Sequence, residues 1–290
     1  MDAARGIGEL ELSTDVAAGA WVVAGVRPFR EVVVGSLVPQ GFAAYGRVFH
    51  PAYDGGLEVR WAQVARANRR QAHPAMEWGS ITGSWRFLEG KVQPGVWDQM
   101  PSMGSLPVRQ AARLAELLAA HTATPQRCWF AVWEGFANLA VPVDGTPRLA
   151  MPQRPMVVLR GALSAAPTSL APYPADQRAS LWWPEDHSWC VATDVDLLTT
   201  YVGASQECTA AVVAADDMEA MVVPVDQRVS WDSDTLNPPP SDSPQWRHST
   251  RRAIDRQPAI SPKPLLLFAR SSNVIHVDAE CCSPEEQQRA

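Results

Sequence analysis

The chain has 290 residues, a formal charge of −6, and 46% hydrophobic against 19% charged residues. That is enough apolar material for a real core, as one large domain or two small ones. The acidic balance, with no run of Lys or Arg along a helix, excludes a nucleic-acid binder driven by phosphate contacts.

Taken in order, residues 1–12 read as frayed. Val16 to Val26 is an apolar patch preceded by Glu9, Glu11 and Asp15 rather than by basic residues, so it does not read as a signal peptide, and it is too short to span a membrane. Ser13 or Thr14 is placed to cap a helix from Asp15 to Gly25, although the same residues suit a strand. Val32–Val34 and Phe42–Phe49 read as strands around the Pro39-Gln40-Gly41 turn. Asp54-Gly55-Gly56 turns into a strand, Leu57–Trp61, and a short helix over 62–69. Residues 71–104, without clear period, read as a long loop with a short strand or helical turn. Ser105 caps the clearest helix, which runs to Ala120 with Ala111, Ala115 and Leu118 on one stripe and Leu114 beside it.

Cys128–Glu134 is apolar on both faces and reads as a central strand. Asp144-Gly145 suggests a small hairpin between 139 and 150. Met156–Arg160 is a further strand, and residues 164–178 are a loop. The densest stretch is Leu181 to Asp196: aromatic and β-branched runs at 181–183 and 188–194 flank Pro184-Glu185-Asp186-His187, the pattern of a β-hairpin. Thr199–Gly203 reads as a connection, Ser205 as the N-cap of a helix to Asp216-Asp217, and Met221–Val225 as a closing strand. After Asn237 the composition turns to Pro, Ser, Arg and Gln, which predicts a disordered tail over 237–290 in which Leu265–Phe268 and Val274–Val277 are the only strand-like runs. The globular part is therefore residues 1–236.

Several of these words together resemble an uncharacterised family of actinobacterial proteins. They are Val38-Pro39-Gln40-Gly41-Phe42 to His50-Pro51, Val59-Arg60-Trp61-Ala62, Met76-Glu77-Trp78, Leu106-Pro107, and His121-Thr122-Ala123-Thr124-Pro125. Cys128-Trp129-Phe130 to Trp133-Glu134-Gly135 and the Trp182 to Ser205 block complete the set. The resemblance spans about residues 37–237, with Ala204 standing where glycine is expected, and it implies no activity.

The chemistry in the pattern is sparse. Asp194 and Asp196, at a strand end, project to one side and could hold a divalent cation for a hydrolase or transferase. Asp194-Val195-Asp196-Leu197-Leu198-Thr199 also resembles the nucleophile loop of haloacid dehalogenases, but Leu198 departs from it. The structural alternative is that both carboxylates accept backbone or hydroxyl hydrogen bonds. Glu134, closing an apolar strand, is a third candidate for a catalytic carboxylate. His50, His187 and Cys190 could make a thiol–imidazole pair, against the reading of a buried small thiol and two strand-end or turn histidines. Glycine-rich phosphate loops, Gly-x-Ser-x-Gly and His-Glu-x-x-His are absent. The five cysteines include no Cys-x-x-Cys and no zinc spacing, which reads as reduced thiols, no metal or other cofactor, and a cytoplasmic setting. Of the twelve tryptophans, most lie in strand-like runs as core filling, while Trp78, Trp85, Trp97 and Trp182 are candidates for a binding surface.

The expectation is a single α+β domain: a mostly antiparallel sheet covered by a few helices, of which 105–120 and 205–216 are two, plus the tail. The expected function is non-catalytic binding of another protein, in regulation or as an immunity-type partner, with no nucleic acid and no membrane. The alternative is a metal-dependent hydrolase or transferase using Asp194 and Asp196.

Overall fold

The computed structural model describes residues 6–84 and 92–240. The tail expected over 237–290 is therefore described only to Pro240, and the strand-like runs at 265–268 and 274–277 lie outside the described residues.

The fold is α+β, built on one large antiparallel sheet. Its strands are β1 (Gly6–Ile7), β2 (Leu10–Ser13), β3 (Ala44–Phe49), β6 (Cys128–Trp133), β7 (Arg148–Leu149), β8 (Met156–Gly161), β9 (Leu181–Pro184), β10 (Cys190–Ala192), β11 (Thr199–Ala204) and β12 (Ala220–Val223). A separate hairpin joins β4 (Ala52–Asp54) and β5 (Leu57–Val59). In space the order is β1-β2-β8-β6-β9-β10-β11-β3-β12, with β7 beside β8. The helices are α1 (Ala20–Gly25), α2 (Trp61–Ala67), α3 (Trp78–Thr82), α4 (Val108–Ala119) and α5 (Gln206–Val213).

The two-sided apolar strands take the middle because both faces are covered. On one face Val48, Phe130, Val132, Val157, Trp182, Val191 and Val202 meet Leu114 and Leu118 of α4 and Cys208 and Val212 of α5. On the other, Tyr45, Ala131, Val158, Trp183, Cys190 and Tyr201 meet Val22 of α1 and Val34, Leu37 and Val38. A third cluster packs α2 and α3 against the β3 end: Phe49, Trp61, Met76, Trp78, Ile81 and Trp97.

The Leu181–Asp196 hairpin forms, with Val191 opposite Trp182 and Ala192 opposite Leu181, and Ser205 caps α5 by accepting from Cys208 N–H. Several sequence expectations need correction. Thr199–Gly203 is not a connection but most of β11, a strand buried along its whole length. Its β-branched and aromatic residues suit a pleated surface, and Gly203 leaves room that a Cβ would lose, since one there would sit 2.5 Å from the Phe42 ring. Residues 10–13 are not frayed: Leu10 is buried and β2 pairs with β8. Val32–Val34 is not a strand; 3-10 turns at Phe29–Glu31 and Val34–Ser36 replace it. The hairpin expected over 139–150 reduces to β7 alone, paired with β8.

Candidate functional site

The three candidate carboxylates converge on one segment. Arg148 Nε donates to Glu134 at 2.7 Å. Six residues on, Arg154 donates to Asp194 from Nε (3.1 Å) and Nη2 (3.4 Å), and from Nη2 to Asp196 (2.9 Å). Glu134 N–H also donates to the Pro155 carbonyl, which ties the end of β6 to the same segment. The Arg154 guanidinium is further held over the Phe29 and Trp133 rings, at 5.0 and 5.2 Å, an arrangement that adds cation–π attraction to the ion pairs. Asp194 Oδ1 accepts Asp196 N–H, the local turn expected of an Asx side chain. Arg154 therefore stands where a cation shared by Asp194 and Asp196 would have to sit. Among the described residues no group of three or more His, Cys, Asp or Glu is arranged to hold a metal ion.

Beside this cluster lies a cleft lined by Phe29, Leu37, Trp133, Met151, Thr193 and Asp194. Its cavity volume is about 30 Å³, room for about one water and far below the several hundred Å³ of a small-molecule pocket.

Three of the four tryptophans expected at a binding surface, Trp78, Trp97 and Trp182, are core residues. Trp78 packs at 5.3 Å from both Trp61 and Trp97, and Trp182 lies 5.8 Å from Trp189 and 6.2 Å from Phe130. All three are buried, so none presents a ring to a partner; their apolar area stabilises the fold instead. Trp85 lies outside the described residues.

His50, His187 and Cys190 do not meet. His187 stacks on Trp21, centroids 4.3 Å apart. Cys190 is fully buried in the sheet, and burial pushes its thiol far up, away from the reactive thiolate. His50 is buried between Ser102 and Thr200, at 2.7 and 2.9 Å. A carbonyl only accepts, so Nδ1 donates to Ser102 and Nε2 accepts from the Thr200 hydroxyl. The Thr193 hydroxyl then donates to Thr200 at 2.6 Å. Burial lowers the His50 pKa to about 4, and the Thr200 side chain it faces is itself buried. Its role is to satisfy polar groups inside the fold.

One buried polar network had no signal in the sequence, because its members are scattered over residues 47 to 237. Arg47, almost fully buried on β3, faces Tyr201 across the ladder. It pairs with Glu77 at 2.8 Å and donates to the Pro74 and Met76 carbonyls. Burial opposes its charge, but Tyr201, Glu77 and Asp234 outweigh that and hold the guanidinium protonated. Ser233 donates to Glu77. Asp234 accepts from His73 at 2.9 Å and from Asn237 N–H, and Asn237 bonds both the N–H and the carbonyl of Gln71. Residues 233–237 are thus fastened to the loop before α3.

Among the described residues the sheet ends at β12. Met221 and Val223 pair toward Arg47 and Tyr45 of β3, and Glu219 accepts Phe49 N–H in the same register. By the alternation of an antiparallel ladder, Ala220 and Val222 turn their N–H and C=O groups outward. No strand among the described residues pairs with that edge. Val222 is 55% exposed, and Ala220–Val223 contains no charged residue. Among the described residues the opposite edge of the sheet is β1, only two residues long.

No helix among the described residues is long and apolar enough to cross a membrane. No protein-family model matches the chain, and neither a curated protein nor a solved structure matches it.

Proposed function

We propose that this chain is a non-catalytic protein-binding module of the cytoplasm, regulatory or immunity-type in role, that receives an extended segment of another protein on the outer edge of β12. The observation that carries the reading is that edge: uncharged, exposed at Val222, and without a partner strand among the described residues. Unblocked edges of this kind are templates for strand addition. The pairing of Glu134, Asp194 and Asp196 with Arg148 and Arg154 supports a structural role for the candidate catalytic groups. The buried, unpaired thiols of Cys128, Cys190 and Cys208 support a reducing compartment.

The test places a photoreactive residue at position 222 and compares capture with the same residue at the exposed Leu57. One defined protein captured at 222 alone, and no longer bound by V222P at unchanged melting temperature, is the expected result. Proline is tolerated where an edge N–H faces solvent, so this variant removes the outward donor and keeps the fold. A captured protein that V222P still binds with full affinity would sink the reading.

A further inference from the structure

We infer that the cavity where β6 begins and β8 ends is a binding site for a neutral sugar, stacked on Trp129. The site is independent of strand addition at β12, since β9, β10, β11 and β3 lie between β6 and β12 in the sheet. Its lining includes Glu9, Glu11, Arg127, Trp129, Arg160 and Glu185. Its volume of about 330 Å³ falls within the range of small-molecule sites, roughly 300–1,000 Å³.

The strand register builds the site. Trp129 on β6 stands opposite Arg160 on β8, and Arg160 opposite Glu11 on β2. Directly opposed residues share a face of the sheet, so indole, guanidinium and carboxylate lie in one row. Arg160 donates to Glu11 Oε2 from Nε at 3.2 Å and from Nη2 at 2.9 Å. Arg127, two residues before Trp129, continues the ladder by accepting Glu185 N–H on its carbonyl. Its Nε donates to Glu185 Oε2. Trp183, opposite Trp129 on β9, is fully buried, whereas Trp129 is only half-buried. A partly open indole is thus bracketed by two ion pairs.

That arrangement suits a ligand with an apolar face and a hydroxylated rim. The C–H face of a pyranose ring packs on an indole, which is flat, apolar and rigid. Both carboxylates receive their arginine on Oε2, which leaves Oε1 of Glu11 and Glu185 outside the pairs. Likewise Nη1 of Arg160 and both Nη groups of Arg127 are not used in them. A hydroxyl both donates and accepts, so a sugar bonds to these free positions and leaves each ion pair intact. An anion would have to compete with Glu11 and Glu185 for the arginines, and a cation with the arginines for the carboxylates. The lining mixes Glu9, Glu11 and Glu185 with Arg127 and Arg160, so it offers no cluster of one sign to a charged ligand.

The experiment titrates the full chain with glucose, galactose, mannose, N-acetylglucosamine, maltose and cellobiose, with glucuronate and glucosamine as charged controls. Binding is read by saturation transfer to the sugar and by the shift of the Trp129 indole N–H resonance. The expected result is saturable binding of at least one neutral sugar, tighter than either charged control and unchanged in V222P. W129A should weaken it by about tenfold or more, and W129F, which keeps a ring, should retain binding. The double variant E11A/E185A, altered only at exposed side chains, should weaken it as well at unchanged melting temperature. No saturable binding of any neutral sugar in large excess overturns the inference. Tighter binding of glucuronate or glucosamine makes the site one for a charged ligand and overturns it. Full affinity in W129A, or in E11A/E185A, places the sugar elsewhere and overturns it too.

Discussion

Arg154 holds Asp194 through two guanidinium nitrogens, 3.1 and 3.4 Å from its carboxylate oxygens. Only about a tenth of the Asp194 side chain is exposed, against 76% for Asp196, so the two aspartates that look equivalent in sequence are not equivalent in the fold. D194N leaves Arg154 without its enclosed partner and is expected to cost roughly 1–3 kcal/mol. D196N is expected to cost about 0–1 kcal/mol, as a solvent-screened pair does. Chemical denaturation of the single variants checks the ranking. Added Mg²⁺ or Mn²⁺ should leave the melting temperature of the wild type unchanged. A rise with metal concentration that D194N abolishes would show that a cation displaces Arg154.

Arg47 and Glu77 form the enclosed ion pair beneath β11. Removing one member strands the other in the core, so R47M and E77Q should each destabilise by roughly 3–5 kcal/mol. The double variant R47M/E77Q should cost clearly less than the sum, and a double-mutant cycle from denaturant midpoints measures the difference. An additive result would mean that the two side chains do not act as a pair.

The His50 network makes a pH prediction. Burial lowers the folded pKa from the usual 6.5 to about 4, so the unfolded chain binds the proton more readily. The contribution is fully present above about pH 6.5 and is lost as pH falls toward 4; between pH 7 and pH 5 it amounts to about 2 kcal/mol. The drop in unfolding free energy over that window should be correspondingly smaller in H50N. Equal drops in the two proteins would place the His50 titration outside the fold.

The enclosed tryptophans carry a simple expectation. Trp189 is fully buried on the α4–α5 face, and W189A should cost roughly 3–5 kcal/mol through lost burial and the cavity left behind. An unchanged denaturation midpoint would put the ring at the surface.

Much of the fold was legible where local pattern and final environment agree. β6 reads as central because Cys128, Phe130 and Val132 face one covered side while Ala131 faces the other, and α5 starts at Ser205 because its hydroxyl caps the first turn. β11 was missed because Gly203 reads as a turn signal, although it is a strand position pressed against Phe42 and Val38. Trp78 and Trp97 read as loop aromatics because the loop's own packing, a satellite core with Trp61, leaves no periodic trace. Asp194 and Asp196 were visible as a pair, but the arginine that neutralises them lies 40 and 42 residues away. A backbone edge leaves no residue signature, so nothing in Ala220–Val223 distinguishes an open strand from a covered one.

The most direct test is amide hydrogen exchange along β12, residue by residue, in the free chain and with a strand-forming peptide. Met221 and Val223 pair with β3 and should exchange slowly throughout. Ala220 and Val222 should exchange fast in the free chain and slow by tenfold or more with saturating peptide. Protection of Val222 already present in the free monomer, or no change at Ala220 and Val222 under saturating peptide, would contradict strand addition at this edge.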